Sequence, residues 1–443
     1  MILLDLTYVS LTMLRVVHAS KSALHGGAAR AALRLHHSLI QLGIDSSIIV
    51  DSDQPAVAGV ISGNASRIHL DRLRRYAERR IPGLQRTNNP ILHSASLTPG
   101  PGLRAIRSAP ADIVNLHWIS NGFLSIRQIG WLLSNRRVVW TLHDMWPICG
   151  SEHFEFPSRV LRHRDGYLRT NRPEGARGFD TDRRCWAVKR KSWHSPAQLV
   201  APSNWMAARV QESQLMNDWP VTVIPNPLDL DRFHPIEPSS ARRQLGLPLD
   251  VPLLLYVADG GTGNPIKGFN EMVAALPRVS AVHPEVQLVL IGERRPQDLP
   301  RLPVPVHSLG QVDDDATMAV AYGVANCVVV PSVIDNLPQV ATEAHACGRP
   351  VAAFHTGGLP DIVDHEVTGH LAEPGQPHSL AHAINVTLER DAGSGQLGLA
   401  ARRRAELLWD SQHVAKQYAN LYQQVASSKQ AIRRRPGSDH PTG

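Results

Sequence analysis

Two acidic residues eight positions apart, Asp335 and Glu343, sit in a stretch that reads strand, loop, helix, glycine, strand: CVVVPSVIDNLPQVATEAHACGRPVAAF, residues 327–354. The strand ends at Pro331, and Pro338 fits a first helical turn, where its missing N–H costs little. The pattern predicts Asp335 in the loop and Glu343 on the helix, both beyond the carboxyl end of a strand. Carboxylates there can accept hydrogen bonds from sugar hydroxyls, each charged bond contributing about 1.5–3 kcal/mol when satisfied. An N-cap for Asp335 and a surface acid for Glu343 use the same residue types.

Basic and glycine-rich segments supply the complementary chemistry. Gly260-Gly261-Thr262-Gly263 follows an apolar run and leads to Lys267-Gly268-Phe269. A compact ammonium beside a glycine turn suits a diphosphate. The spacing is not that of a Walker A loop, and an ordinary exposed lysine at a helix entrance has the same appearance. His25-Gly26-Gly27 stands between a strand and a helix, where free helix N–H groups favour an anion; a tight turn uses the same glycines. His143, just past VVWTL (138–142), is the histidine best placed for chemistry, with Asp144 and Trp146 close behind. Trp118 ends DIVNLHW (112–118); sugar stacking and packing are both open to it.

The elements that must position these residues alternate. LRVVHAS (14–20), SIIVDS (47–52), DIVNLHW, VVWTL, QLVAPS (198–203) and VTVIPN (221–226) read as strands, and from Pro252 the alternation restarts. Uniformly apolar strands separated by helix-length crossovers predict parallel sheets covered on both faces. The fold class is therefore α/β: two Rossmann-like doubly wound domains, with ligands expected at the carboxyl ends of the strands in a central cleft. We expect the first domain over 1–235 (with 1–13 a possible leader), the second over 236–385, helices returning to the first domain over 386–428, and a basic, disordered tail over 429–443. Residues 78–107 and 150–196 fit neither pattern and read as functional loops.

Composition excludes more than it selects. With 443 residues, 43% hydrophobic, the chain is an ordinary globular protein rather than a disordered one. Four cysteines (149, 185, 327, 347) without a CxxC pair support neither a disulfide scaffold nor a zinc ribbon, and free thiols in a reducing compartment are expected. No run of 18 uncharged apolar residues occurs. The net charge of +7 permits phosphorylated substrates, membrane surfaces or nucleic acid. No nucleic-acid module accompanies it, so none is expected as a partner. The stretch 66–80 reads as a basic amphipathic helix, suited to a membrane surface or to a solvated face. The run Arg183-Arg184 to Lys189-Arg190-Lys191, with Trp186 and Trp193, suits a lipid diphosphate.

Taken together and in order, these segments resemble a family. HGGAAR, IPNPLDLDRFHP (224–235), APSNWMAARVQES (201–213), KGF (267–269) and the Asp335-x7-Glu343 stretch are similar to retaining family-4 glycosyltransferases of the GT-B fold, over roughly residues 14–425. TLHDMWPICGSEHF (141–154) resembles the subgroup of bacterial exopolysaccharide synthesis. The resemblance implies a hexosyl group moved from a nucleotide sugar to a lipid-linked saccharide on the cytoplasmic side, with peripheral membrane contact. Glu343 would hold ribose hydroxyls. Asp335 would contact the donor sugar, with the amides at Asn336 and Leu337 on the sugar or diphosphate. Lys267 would neutralise the diphosphate, Gly26, Gly27 and Gly261 would approach it, and His143 would lie beside the anomeric carbon. Trp118, Asp144 and Trp146 would meet the acceptor. No cofactor or metal is expected, since no DxD stands in a convincing metal position; Asp229-Leu230-Asp231 forms one but falls in the linker-like segment. Thr262 stands where many members carry an arginine, so phosphate charge must be offset elsewhere. A nucleotide-sugar 2-epimerase and a non-catalytic nucleotide-sugar-binding partner are the rival readings.

Overall fold

Both halves of the chain build a parallel sheet. The structure is a computed structural model and describes residues 14–51, 59–62, 76, 78–155, 160–258, 263–292, 299 and 301–428. The expected leader, Gly261 and Thr262, the tail, and all but the end of the 66–80 helix lie outside the described residues.

In the first half, β1 (Arg15–Ala19), β2 (Asp45–Val50), β3 (Val60–Ser62), β5 (Ile113–Leu116), β6 (Val138–Thr141), β8 (Gln198–Ala201) and β9 (Val221–Val223) form one sheet in the order 3-2-1-5-6-8-9. The short β4 (Gln85–Arg86) and β7 (Arg177–Gly178) pair separately and antiparallel. In the second half, β10 (Leu253–Val257), β11 (Gln287–Ile291), β12 (Val306–Ser308), β13 (Cys327–Val330), β14 (Val351–Phe354) and β15 (Gly369–Ala372) run in the order 12-11-10-13-14-15. The central strands are buried on both faces, which explains their uninterrupted apolar sequence. Each order reverses beside one strand: β1 lies between β2 and β5, and β10 between β11 and β13. At such a point the crossovers leave on opposite faces and open a crevice beyond the strand ends.

The junctions differ in detail from expectation. Ile224 packs in the first domain, but Leu228 and Phe233 already belong to the second core. The chain therefore crosses upstream of the expected 235/236 boundary. The return is also shorter than 386–428. The helices Pro377–Asp391 and Gln396–Leu408 pack on the second domain, and only Ser411–Ser427 covers the first sheet. That last helix buries Val414, Tyr418, Leu421 and Tyr422 against Val16, Leu35 and Val139. Asn115 donates to the Tyr422 hydroxyl at 2.7 Å, and the hydroxyls of Thr141 and Tyr418 meet at 3.2 Å.

Candidate active site

Loop geometry in the second domain brings Lys267 and Asp335 together. Asn264 caps a 3-10 turn, Pro265–Lys267, by accepting from the Ile266 N–H. Gly268 then takes φ +70°, and a Cβ there would lie 1.8 Å from the Pro331 carbonyl oxygen. Only glycine lets the lysine turn rest on the end of β13. Behind the acidic loop, Gly357 at φ +57° approaches the Asp335 carbonyl as closely: an added Cβ would come within 1.9 Å. With its main chain held from both sides, Asp335 places Oδ2 2.7 Å from Lys267 Nζ.

Glu343 sits one turn into the helix Gln339–Ala346, 4% exposed. Its Oε2 accepts from the Tyr322 hydroxyl at 2.9 Å, and Oε1 from Arg34 Nη2 at 2.9 Å. Arg34, from the first domain, also reaches Asp315 at 3.2 Å. Burial works against its charge, but Glu343 and Asp315 outweigh burial and hold the guanidinium above its usual range. The surface-acid reading of Glu343 is thereby excluded.

The first domain contributes a helix without a side-chain cap: Gly27–Gln41, entered through Gly26 at φ +90°. Gln339 Nε2 donates to the Gly27 carbonyl at 2.8 Å, so the starts of the two helices meet across the cleft. On the opposite wall, His143 Nε2 lies 3.0 Å from His117 Nδ1, whose Nε2 lies 2.9 Å from His18 Nδ1. Asp144 accepts from the Trp118 indole at 2.7 Å and meets His153 Nδ1 at 2.6 Å. Burial raises the Asp144 carboxyl, yet His153 and these donors hold it below the usual range.

Two adjoining cavities occupy the cleft, of about 530 and 620 Å³. His25, Gly26, Arg30 and Gln339 line both, so the space is continuous. Lys267, Asp335, Leu337, Gly27, His143, Asp144 and Trp118 line the first; Glu343, Tyr322 and Arg34 line the second. The predicted residues therefore converge, with three qualifications. Asn336 turns its side chain away from the cavity, donating to the Leu142 carbonyl (2.8 Å) and accepting from Ser203 (2.6 Å), so it offers only main chain. Trp146 is 2% exposed and donates to the Ser94 carbonyl, which removes it from the acceptor wall. The basic run 183–191 is not a free patch either. Lys189 is fully buried, donating to the carbonyls of Trp146, Cys149 and Gly150, while Trp186 and Trp193 lie in the core.

Arg30 escaped the sequence reading although it closes the motif HGGAAR. It lines both cavities, and its Nε is buried without a partner. Lys21, paired with Asp51, lines the first cavity as well. These cations stand where the missing arginine at Thr262 left charge to be offset. Arg34 and Tyr322 were also missed, because their contact with Glu343 spans 309 and 21 positions.

Burial lowers His18 to about 3, aided by His36, and His143 to about 4 despite Asp144, while His117 falls well below its usual value. A histidine depressed on folding binds fewer protons than the unfolded chain between its two pKa values, so stability is lost as pH falls from 6.5 toward 4. Tm at pH 5 is expected to lie about 5 °C or more below that at pH 7. A flat Tm over that window, followed by calorimetry, contradicts the buried neutral chain.

Comparison with known proteins agrees with this geometry. Residues 25–232 match the model described as Glycosyltransferase Family 4, and residues 251–390 that described as Glycosyl transferases group 1. The chain belongs to the group 1/family 4 glycosyltransferases. Among curated family members, a D-inositol 3-phosphate glycosyltransferase of Xylanimonas cellulosilytica is 33% identical over 49% of this chain and 52% of its own length. A glycogen synthase of Mycobacterium tuberculosis is 32% identical over 46% and 48%. This glycosyltransferase chain thus spans about half the length of the curated relatives it matches. Sucrose-phosphate synthase of Thermosynechococcus elongatus shares the fold at TM-score 0.66 and 21% identity, covering 93% of this chain and 99% of that one. HepE of Anabaena, solved in complex with UDP-glucose, does so at 0.61 and 18%, covering 93% and 100%. The two facing Rossmann-like domains expected from the strand pattern, and the GT-B fold implied by the resemblance, are confirmed.

Proposed function

We propose that the protein transfers a hexosyl group, with retention, from a nucleoside diphosphate sugar to a saccharide acceptor, lipid-linked and destined for exopolysaccharide. One observation carries the reading: a buried acid (Glu343) and a lysine–aspartate pair (Lys267, Asp335) line one continuous cleft between two doubly wound domains. Glu343 suits ribose hydroxyls, Lys267 the diphosphate, and Asp335 the sugar. Arg30 and the uncapped amides at Gly27 and Gln339 add positive potential where the leaving group develops charge. His143, neutral in its buried position, serves as a hydrogen-bond partner of the sugar rather than a base. Among the described residues, no carboxylate other than the lysine-paired Asp335 and the Trp118-bonded Asp144 lines the first cavity. Attack on the same face as the departing phosphate, whose oxygen takes the acceptor proton, therefore accounts for retention. The UDP-glucose held by the Anabaena fold relative makes UDP-sugars the first donors to try.

The direct test incubates the purified chain with a panel of nucleotide sugars and of free and lipid-linked saccharides, reading the anomeric configuration of the product by NMR. A glycoside of retained configuration is expected. Epimerised donor, or saturable donor binding without product, would replace the reading with one of its rivals. Glu343→Ala is expected to weaken donor binding about 10–100-fold, from the loss of two charge-assisted bonds, with a smaller effect on kcat. Titration calorimetry showing an unchanged Kd would remove Glu343 from the donor site.

A further inference from the structure

Behind the His143–Asp144 wall, an imidazole and two buried carboxyl groups converge: His93, Glu152 and Asp182. His93 Nδ1 lies 2.7 Å from the Ile91 carbonyl, an acceptor, so this nitrogen carries a proton and Nε2 is the ring nitrogen left to act as a ligand. Nε2 is buried without a hydrogen-bond partner, as is Oε2 of Glu152, a residue only 4% exposed. Asp182 Oδ1 completes the group, 3.8 Å from His93 Nε2, and all three atoms lie within 4.8 Å of one another. The other carboxyl oxygens are already engaged: the Tyr167 hydroxyl donates to Glu152 Oε1 and Gln85 to Asp182 Oδ2, while Ser151 donates to Asp182 Oδ1 itself. The nearby cation Arg162 lies 3.9 Å from the other oxygen of Asp182 and does not enter the gap.

We propose that this gap is a site for one divalent transition-metal cation of the zinc class, held by His93 Nε2, Glu152 Oε2 and Asp182 Oδ1. Lone pairs converging in a low dielectric repel unless positive charge lies between them. The 3.8 Å separation is too long for a hydrogen bond. It is a few tenths above the edge of a zinc tetrahedron, about 3.3–3.5 Å for bonds of 2.0–2.2 Å. The Ile91 carbonyl and Tyr167, Ser151 and Gln85 then act as the outer partners that orient metal ligands. The ligands come from positions 93, 152 and 182, which is why cysteine spacing did not disclose them. The site would be structural. The next residues along, Ser94 and His153, hold Asp144 in the cleft wall, so a cation here staples the irregular 150–184 excursion behind that wall.

The full chain, expressed in zinc-supplemented medium and purified without chelator, should carry about one zinc per molecule by mass spectrometry of the element. Chelation should lower Tm by about 5 °C or more, with recovery on adding Zn²⁺ and not Mg²⁺. His93→Ala and Glu152→Gln should each cut the bound zinc at least about tenfold. Should these variants not fold, the wild-type metal content and chelator response decide alone. Wild-type protein with less than about 0.1 zinc per chain and a chelator-insensitive Tm overturns the proposal and leaves the gap to a proton on Glu152, whose carboxyl is pushed well above its usual range by burial and by Asp182. Neither readout depends on glycosyl transfer.

Discussion

Lys267→Ala lowers kcat about 10²–10³-fold, an expected cost of about 2.7–4 kcal/mol for removing one group aimed at developing charge. The argument rests on what Lys267 does before and after donor arrives. Without donor its ammonium is 2.7 Å from Asp335, each charge neutralising the other in the cleft. Donor binding replaces that pair by two interactions of opposite kind: the ammonium turns to the diphosphate and the carboxylate to the sugar hydroxyls. Ground-state affinity therefore changes less than turnover, because the lysine gains most when the phosphate departs. Steady-state kinetics on the donor should show kcat falling far more than KM rises. If KM alone moves, Lys267 is a binding contact and the leaving-group role is lost. Lys267→Arg should not restore full activity, since a planar fork does not replace a compact ammonium against Asp335.

Gly268→Ala should be among the most damaging single methyls added to the second domain. Its φ of +70° is strained for any side chain, and the new Cβ would lie 1.8 Å from the Pro331 carbonyl. Gly246→Ala is the internal control. It has almost the same φ, +65°, with nothing within 4 Å of the added carbon. The control should lose about 1–2 kcal/mol, the left-handed backbone term alone. Gly268→Ala should lose about 3 kcal/mol or more, since the clash is with backbone and cannot be relieved by a rotamer change. It should also depress kcat, because the shift is passed to Lys267 next door. Equal chemical-denaturation midpoints for the two variants would show that the loop moves aside freely and does not position the lysine.

Much of the site was legible because local rules placed it. Asp335 and Glu343 follow from a strand ending at Pro331 and a helix entered through Pro338, and Lys267 from the next strand-to-helix turn. Once both sheets are parallel, all three must lie beyond carboxyl strand ends, on one side of the molecule. The errors share one cause. Trp146 is placed at the acceptor by its position after His143, and Trp186, Trp193 and Lys189 at the surface by the basic run around them, yet all four are buried. A lysine there is stabilised by three carbonyls and the face of Trp146, 3.8 Å from its Nζ, and nothing in the neighbouring residues announces that.

Periodicity, strand composition and turn residues thus determined the two-domain fold, the cleft and the ends of the strands that line it, because those depend on interactions within a few tens of residues. Only tertiary structure decided which side chains complete the site. Arg34 on Glu343, Arg30 in both cavities, the histidine chain behind His143 and the convergence of His93, Glu152 and Asp182 all join segments far apart in the chain. Such contacts are set by how the sheets and excursions pack, and a one-dimensional pattern carries no distance between residues that meet only after folding.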